Sequence, residues 1–510
     1  MRNSLQLGVN EIPRWSDAIL FGFQQAMIST PGFLVYPILV SEVVCAGSAT
    51  LSLRVQLIAA TFVACGLATL LQTKLGIRLP ILQGPSIAFL PPLLVYKNQH
   101  SCGFGESDHV DSEEWRGRLN EIAGSLMAAS CVFLLVGITG LAGVFAKLIG
   151  PVTITPLMLL LSISIMPTIE EKLSIHWISI VMLLSVGLMS IYLEAIVIRL
   201  PYSNRKIRLF GQFPYLLSIT WVWLLCAFLT VTDIEPKDSP IRTDRNLTIT
   251  DPSWFNLPHP GMFGVPRFNS GLFVGYVASA LAAVVENLGN YNLLARVTRQ
   301  RPPPKETVSR GILVEGLGSL LSSSMGIGTA VASRRTMELA GLFLVFLGVF
   351  TKCAALLATI PEALVGGMLC MGVAMIAGVS ISNLQLVDLS KSRNLSIIGL
   401  SLMIGLIVPR HVNKSPISFG INGQLDDIAN MLLSIKMLVG GMVAVFLDNT
   451  VPGATPAERG IQKVEKDILE DFDEDAYAFR GSLGRFLQSC PPLPFLPKEV
   501  VDETTSRTFV

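Results

Sequence analysis

Glu286 is the residue of this sequence whose setting most invites chemistry. It reads as a lone carboxylate inside the apolar run of residues 271–295. A charged side chain near a bilayer centre costs roughly 2.5–3.5 kcal/mol on insertion scales, so such a group pairs, takes up a proton or faces a polar cavity. Two readings follow. Either the carboxylate hydrogen-bonds a polar solute or helps to couple an ion, or it is a structural acid bonded to a neighbouring helix. Further on, residues 322–335 read SSSMGIGTAVASRR. This stretch lies between two good apolar segments, yet it is too short and too rich in Gly and Ser for an ordinary crossing.

The rest of the chain supplies a membrane frame for these residues. Of 510 residues, 51% are hydrophobic and 15% charged, against about 25% charged in soluble proteins. Mean hydropathy is +0.57. The composition is that of an all-α polytopic membrane protein in a lipid bilayer. A net charge of +1 gives no electrostatic case for nucleic acid as a partner. The first residues have no apolar core followed by a small-residue cleavage site, so targeting falls to the first span. Cys65, Cys131, Cys226, Cys353 and Cys370 lie in apolar runs, and no cysteine pair has metal-ligand spacing. Cys45 and Cys102 fit either a disulfide on an oxidising side or two free thiols. The histidines lie in loops or at span ends, and no nucleophile motif is present, so the sequence does not read as an enzyme and calls for no cofactor.

Candidate crossings fall at residues 18–40, 56–71, 79–95, 122–144, 151–166, 177–198, 215–231, 271–295, 311–325, 337–360, 364–381, 395–408 and 428–447. The third is broken by Gly84, Pro85, Pro91 and Pro92, so its first part reads as extended. Gln83, Gly84, Pro85 and Ser86 there offer polar groups and free backbone at mid-depth, which is tolerable where protein buries them or they line a cavity. A broken third span and a Gly/Ser stub in the second half are the marks of an inverted-repeat transporter. Basic loops (Arg199, Arg205, Arg208; Arg299, Arg301, Lys305) alternate with an acidic one (Glu106, Asp108, Asp111, Glu113). The bias places both termini in the cytoplasm. Residues 1–16 are then a cytosolic lead, 17–452 the membrane domain and 453–510 a mostly disordered cytosolic tail with a helix at 457–469. Asn246-Leu247-Thr248 becomes a glycosylation acceptor facing outward, and Asn394-Leu395-Ser396 faces inward.

Several strings resemble one family. They are GIRLP at 76–80, GPVTITP at 150–156, ITWVWLLC at 219–226, RGILVEG at 310–316, SNLQLVDLSKSRNL at 382–395 and, most distinctive, LDNTVPGATPAERG at 447–460. The chain resembles the nucleobase–ascorbate transporters, especially the animal branch of sodium-dependent vitamin C transporters, over roughly residues 12–462. The resemblance implies a plasma-membrane carrier of ascorbate or a nucleobase, coupled to sodium or protons and working as a homodimer. Its fold would be a fourteen-span, seven-plus-seven inverted repeat. The core domain would hold about 17–148 and 271–360, the gate about 149–231 and 361–452. Glu286 falls on the family's substrate-binding acid. Asn290 falls on a position usually Asp in animal members, and is open to reading as an ion ligand or a packing residue. Gln24 and Gln25 fall on a Gln-His pair, so the histidine is absent. Ser86, Ile87, Ala88 and Phe89 fall on the third-span binding strand. The family's tenth-span signature, with its Asn-x-Gly, is missing between Gly328 and Thr329, so the resemblance implies a truncated tenth span from which no binding residue carries over. That leaves a second reading, a transport-deficient relative able to pair with intact carriers.

One test of the topology is direct. Asn246 is expected to carry glycan, so glycosidase-sensitive mobility disappears in Asn246→Gln; a glycan on Asn394 would contradict the orientation.

Overall fold

The computed structural model describes residues 15–99, 112–199, 206–237, 239–244, 253–298, 300–325, 335–418 and 423–461, with Tyr477 and Phe495. The chain forms helices α1 (Trp15–Val43), α2 (Thr50–Lys74), α3 (Leu90–Gln99), α4 (Ser112–Thr139), α5 (Leu141–Leu148), α6 (Pro151–Ser174), α7 (Ile178–Gly187), α8 (Leu209–Gln212) and α9 (Pro214–Val231) in its first half. The second half holds α10 (Ser270–Val297), α11 (Lys305–Ser324), α12 (Arg335–Val349), α13 (Thr351–Ala358), α14 (Glu362–Asn383), α15 (Ser392–Lys414), α16 (Gly423–Ser434) and α17 (Lys436–Thr450). Eight helices among the described residues are long and apolar enough to cross a membrane, or nine if α16 and α17, bent by 76°, form one span. Every crossing read from the sequence is helical in whole or in part. The third is extended up to Ser86 and turns helical through a 3-10 turn at Ile87–Phe89, as its Gly and Pro content predicts. The one two-stranded sheet among the described residues pairs Ile198–Arg199 with Lys206–Ile207.

Helix packing shows the repeat. The chain's halves align as α1 with α10, α2 with α11, α4 with α12, α6 with α14, α7 with α15 and α9 with α17. Under that alignment the α4–α11 packing becomes α12–α2, α1–α12 becomes α10–α4, α6–α15 becomes α14–α7, and α7–α9 becomes α15–α17; every one of these pairs is in contact. The fold is a seven-plus-seven inverted repeat, and its tenth member falls on residues 326–334, outside the described residues. Two helix groups result. Helices α1, α2, α4, α10, α11 and α12 pack on one another, and α6, α7, α9, α14, α15 and α17 do the same. Glycines bring backbones together within each group. A Cβ at Gly66 would stand 2.5 Å from the Gly341 carbonyl, and one at Gly316 2.9 Å from Leu134 N. Small residues of this kind replace the hydrophobic drive that lipid cannot supply between helices.

The strings that carry the family resemblance meet in two places and act as cement. Arg310 donates from Nε to Gly76 O at 2.8 Å, so RGILVEG holds GIRLP. Asp448, fully buried, accepts from Arg393 at 3.0 Å and from Arg459 at 3.0 and 2.9 Å. Asn394 Nδ2 donates to the carbonyls of Asp388 and Glu458 at 3.0 and 3.1 Å. Glu458 pairs with Lys391 at 3.1 Å and accepts from Thr455 N at 2.8 Å, and these contacts hold its carboxyl below the usual carboxylate range. The buried, doubly bonded Asn394 amide has no room for a glycan. Asn246 lies outside the described residues.

Three expectations are corrected. Cys45 is disulfide-bonded, so it is not a free thiol; Cys102 lies outside the described residues. The 457–469 helix does not form at its start: residues 456–460 are turns, because Gly460 sits at φ +79° and the Asp448, Asp388 and Asn394 contacts hold the chain against α15 and α17. The tail is also docked where it is described. Tyr477 is 2% exposed, donates to Arg301 O at 2.6 Å and accepts from Arg310 Nη2 through its carbonyl at 3.2 Å.

Asp448→Ala strands two largely buried arginines, a loss of about 3–5 kcal/mol for breaking a buried pair. The expected outcome is a thermal unfolding midpoint several degrees lower in detergent and a reduced membrane yield.

Candidate functional site

Glu286 sits on α10 with protein on every side, yet its residue keeps accessible surface. It therefore lines a space inside the bundle and not the lipid. Asn290, one turn on, is likewise half-buried. Gly275, on the same side of α10, faces Pro92 of α3 at 3.0 Å and Met431 of α16 at 3.3 Å, and Gly289 faces Ile154 of α6 at 3.1 Å from a built Cβ. The Glu286 side of α10 thus looks out between the two helix groups, where a solute held by one could be covered by the other.

The residues expected as a third-span binding strand form instead the 3-10 turn Ile87–Phe89 behind an extended Ser86, and this turn and α3 lie against α10. Ser86 is extended at φ −80°, ψ 125°, and its Oγ accepts from Ala88 N at 3.3 Å, capping the turn that follows. Ala88 and Phe89 are each 1% exposed. Phe89 packs edge-on to Tyr276 of α10 with centroids 6.0 Å apart, and lies 6.4 Å from Phe133 of α4. Ile87 stays half-buried. Gln24 and Gln25 are half-buried on α1, whose main neighbours are α2 and α12 and not α10. Next to Ser86, Gln83 is 1% exposed, and both its amide atoms lack a hydrogen-bond partner among the described residues.

Glu286 is not alone. Glu315 of α11, 1% exposed, is a second intramembrane carboxylate close enough to Glu286 for the two charges to repel. Tyr291 donates to its Oε2 at 3.3 Å, and Gln72 Nε2 donates to Tyr291 Oη at 3.0 Å and to Gly311 O at 3.1 Å. Asn287 lies beside it, but its Nδ2 and the Glu315 Oε1 are buried without a completed hydrogen bond. The sequence carried the signal, since Glu315 stands inside the quoted RGILVEG and inside the 311–325 crossing; the Gly and Ser around it masked an acid as costly as Glu286.

Helix registers fix the two ends that residues 326–334 connect. In α4–α11, Gly137 meets Leu313 and Gly316 meets Leu134; in α2–α12, Gly66 meets Gly341 and Gly348 meets Val63. Helix α11 therefore ends at the face where α1 finishes, as does α12, and both ends bond the 253–268 loop: Gly261 N donates to Ser324 O at 3.1 Å and Asn256 N to Val349 O at 3.1 Å. Arg335 begins α12 at the opposite face, about 20 Å away by helix rise.

Residues 16–414 match the Permease family. The chain is 35% identical over 506 residues to solute carrier family 23 member 2 of Homo sapiens, covering 92% of this chain and 77% of that one. The chain belongs to the nucleobase–ascorbate transporter family. It is also 34% identical over 493 residues to solute carrier family 23 member 1 of Mus musculus (89% and 81% covered), and 28% identical over 518 residues to nucleobase-ascorbate transporter 1 of Arabidopsis thaliana (94% and 96%). Among solved structures it is similar to the transmembrane domain of a cyanobacterium bicarbonate transporter, with a TM-score of 0.41 at 14% identity, covering 84% of this chain and 96% of that one.

The two carboxylates differ in what they hold. Tyr291→Phe removes a buried hydrogen-bonded hydroxyl from Glu315 and Gln72 and is expected to cost about 1–3 kcal/mol. Glu286→Gln, with no hydrogen bond to a described residue to lose, is expected to leave the unfolding midpoint within about a degree of the parent. Thermal unfolding of both variants in detergent checks the contrast.

Proposed function

We propose that this integral membrane protein is a secondary transporter by construction, built for a small polar ring solute of the ascorbate or nucleobase type, with half of its binding site in place. The observation that carries the reading is Glu286, lining an interior space beside the third-span turn without a described partner. A carboxylate so placed is free to accept hydrogen bonds from a ring hydroxyl or N–H. Asn290, Ser86 and Ile87 are the accompanying contacts in this reading; Ala88 and Phe89 are packed behind them, and Gln25 stands on α1, away from α10. Glu315 supplies the reason for coupling. Two carboxylates in repulsive range inside low dielectric are not both charged at low cost unless a proton or a cation such as sodium sits with them. In this reading the protein works in the plasma membrane as a homodimer, both termini cytoplasmic, with α1, α2, α4 and α10–α12 as core and α6, α7, α9, α14, α15 and α17 as gate, and its task is transport and not catalysis.

A second reading is favoured by one observation: the sequence has no Asn-x-Gly between Ser322 and Arg335. On this reading the signature groups that would face Glu286 from a full tenth span are missing from the sequence. The chain as it stands then moves little or no solute, and its role is that of a transport-deficient partner of intact carriers.

The test is uptake of labelled ascorbate and nucleobases, with surface amount measured in parallel. This chain is compared with one carrying a family-type tenth-span block between Gly328 and Thr329. Saturable uptake is expected from the restored chain alone, and Glu286→Gln in that chain is expected to abolish it at unchanged surface amount. Saturable uptake by the unmodified chain would overturn the half-site reading.

A further inference from the structure

Four charged side chains meet where the two helix groups touch at the face on which α1 finishes. Glu42 ends α1, Arg54 lies in the second turn of α2, Lys172 is in the last turn of α6, and Glu362 opens α14. Arg54 Nη2 bonds Glu362 Oε1, and Lys172 Nζ bonds Glu42 Oε1 at 2.6 Å. These two close pairs both cross between the groups. The remaining sides of the ring, Arg54–Glu42 and Lys172–Glu362, are 3.7 Å each and lie within a group. Arg54 Nε also donates to Ser41 Oγ at 2.8 Å, which fixes the guanidinium. Three of the four side chains are largely buried: 10% exposed for Arg54, 16% for Glu42 and 4% for Lys172, with Glu362 at 37%.

The alternation of signs matters more than the number of bonds. Breaking a buried pair is costly because it strands a charge. Here, pulling the groups apart strands nothing: each retains one acid and one base already within 3.7 Å. The exchange is between cross-group pairs and within-group pairs. Inside each group the backbones approach closely at glycines: a Cβ built on Gly366 of α14 would stand 2.8 Å from the Lys172 backbone, and one on Gly341 of α12 3.0 Å from Gly66 O. Motion is therefore directed to the boundary that the ring closes.

We propose that Glu42, Arg54, Lys172 and Glu362 form an electrostatic latch that holds this end of the core–gate boundary shut and opens by trading cross-group pairs for within-group pairs. The inference rests on the transporter reading, in that it takes the two helix groups as bodies that move. It does not depend on solute being carried.

The test uses the full chain in membranes and reads labelling, not uptake. Thr168, one turn inside Lys172 on α6 and 4% exposed, is replaced by Cys as a reporter. Its reaction with a membrane-impermeant maleimide, above that of the parent's own cysteines, is timed in intact cells and in opened membranes. Glu362→Gln is expected to speed labelling by about two- to fivefold at one face, the size expected for losing one partly exposed ion pair. The exchanged pair Glu42→Lys with Lys172→Glu keeps both cross-group attractions but puts like charges within each group, so its reporter is expected to label no faster than the parent's. A second reporter, Ser401→Cys, buried in α15, is expected to be unmoved. If Glu362→Gln leaves Thr168→Cys labelling unchanged, the latch is refuted. It is equally refuted if the Ser401→Cys reporter speeds up in parallel, which is general loosening. Should the exchanged chain fail to reach the membrane, Arg54→Lys, which retains the charge but loses the fixed fork, is expected to fall between parent and Glu362→Gln, and equality with the parent at both reporters counts against the proposal.

Discussion

A carboxylate inside a bilayer has to be answered by protein, and this structure is organised around two of them. Glu315 is answered by Tyr291, which is in turn held by Gln72, and Gln72 reaches the Gly311 carbonyl. That chain of bonds ties α2, α10 and α11 together. Glu286, one helix face away, is left without such an answer and lines open interior. The two acids differ in what holds them. Glu315 is hydrogen-bonded through one of its oxygens, and Glu286 stands at the seam between two helix groups with no hydrogen bond to a described residue.

The packing that makes this possible is a repeat executed twice in opposite senses. The α4–α11 and α2–α12 pairs place glycines against backbone, so helices that lipid would not drive together still approach closely. The strings that made the family recognisable serve this scaffold. Arg310 clamps Gly76, and Asp448 gathers Arg393 and Arg459 at the base of the second group. A signature rich in Asp, Arg and Asn therefore marks the joints of the molecule.

The sequence disclosed the spans, the broken third crossing and Glu286, because each is written in hydropathy, in Gly and Pro placement, or in one misplaced charge. It disclosed less where tertiary contact decides. Glu315 was hidden by the small polar residues of its own helix. Cys45 gave no local sign of its disulfide. The first residues of the tail, mixed in charge and poor in apolar side chains, read as disorder, but Glu458 and Arg459 find partners 67 and 11 residues earlier in the chain, at Lys391 and Asp448. Ser86 read as a binding group, and its hydroxyl is partly occupied in capping the turn at Ile87.

The central claim is that Glu286 is the free half of a solute site whose other half is absent. Equilibrium binding of labelled ascorbate and nucleobases to the purified full chain in lipid nanodiscs tests it most directly, since binding separates the site from the transport cycle. The account predicts no saturable binding by the chain as it stands. It predicts saturable binding once a tenth-span block is inserted after Gly328, and loss of that binding in Glu286→Gln. Saturable binding by the unmodified chain, or binding by the restored chain that is indifferent to Glu286→Gln, would contradict it.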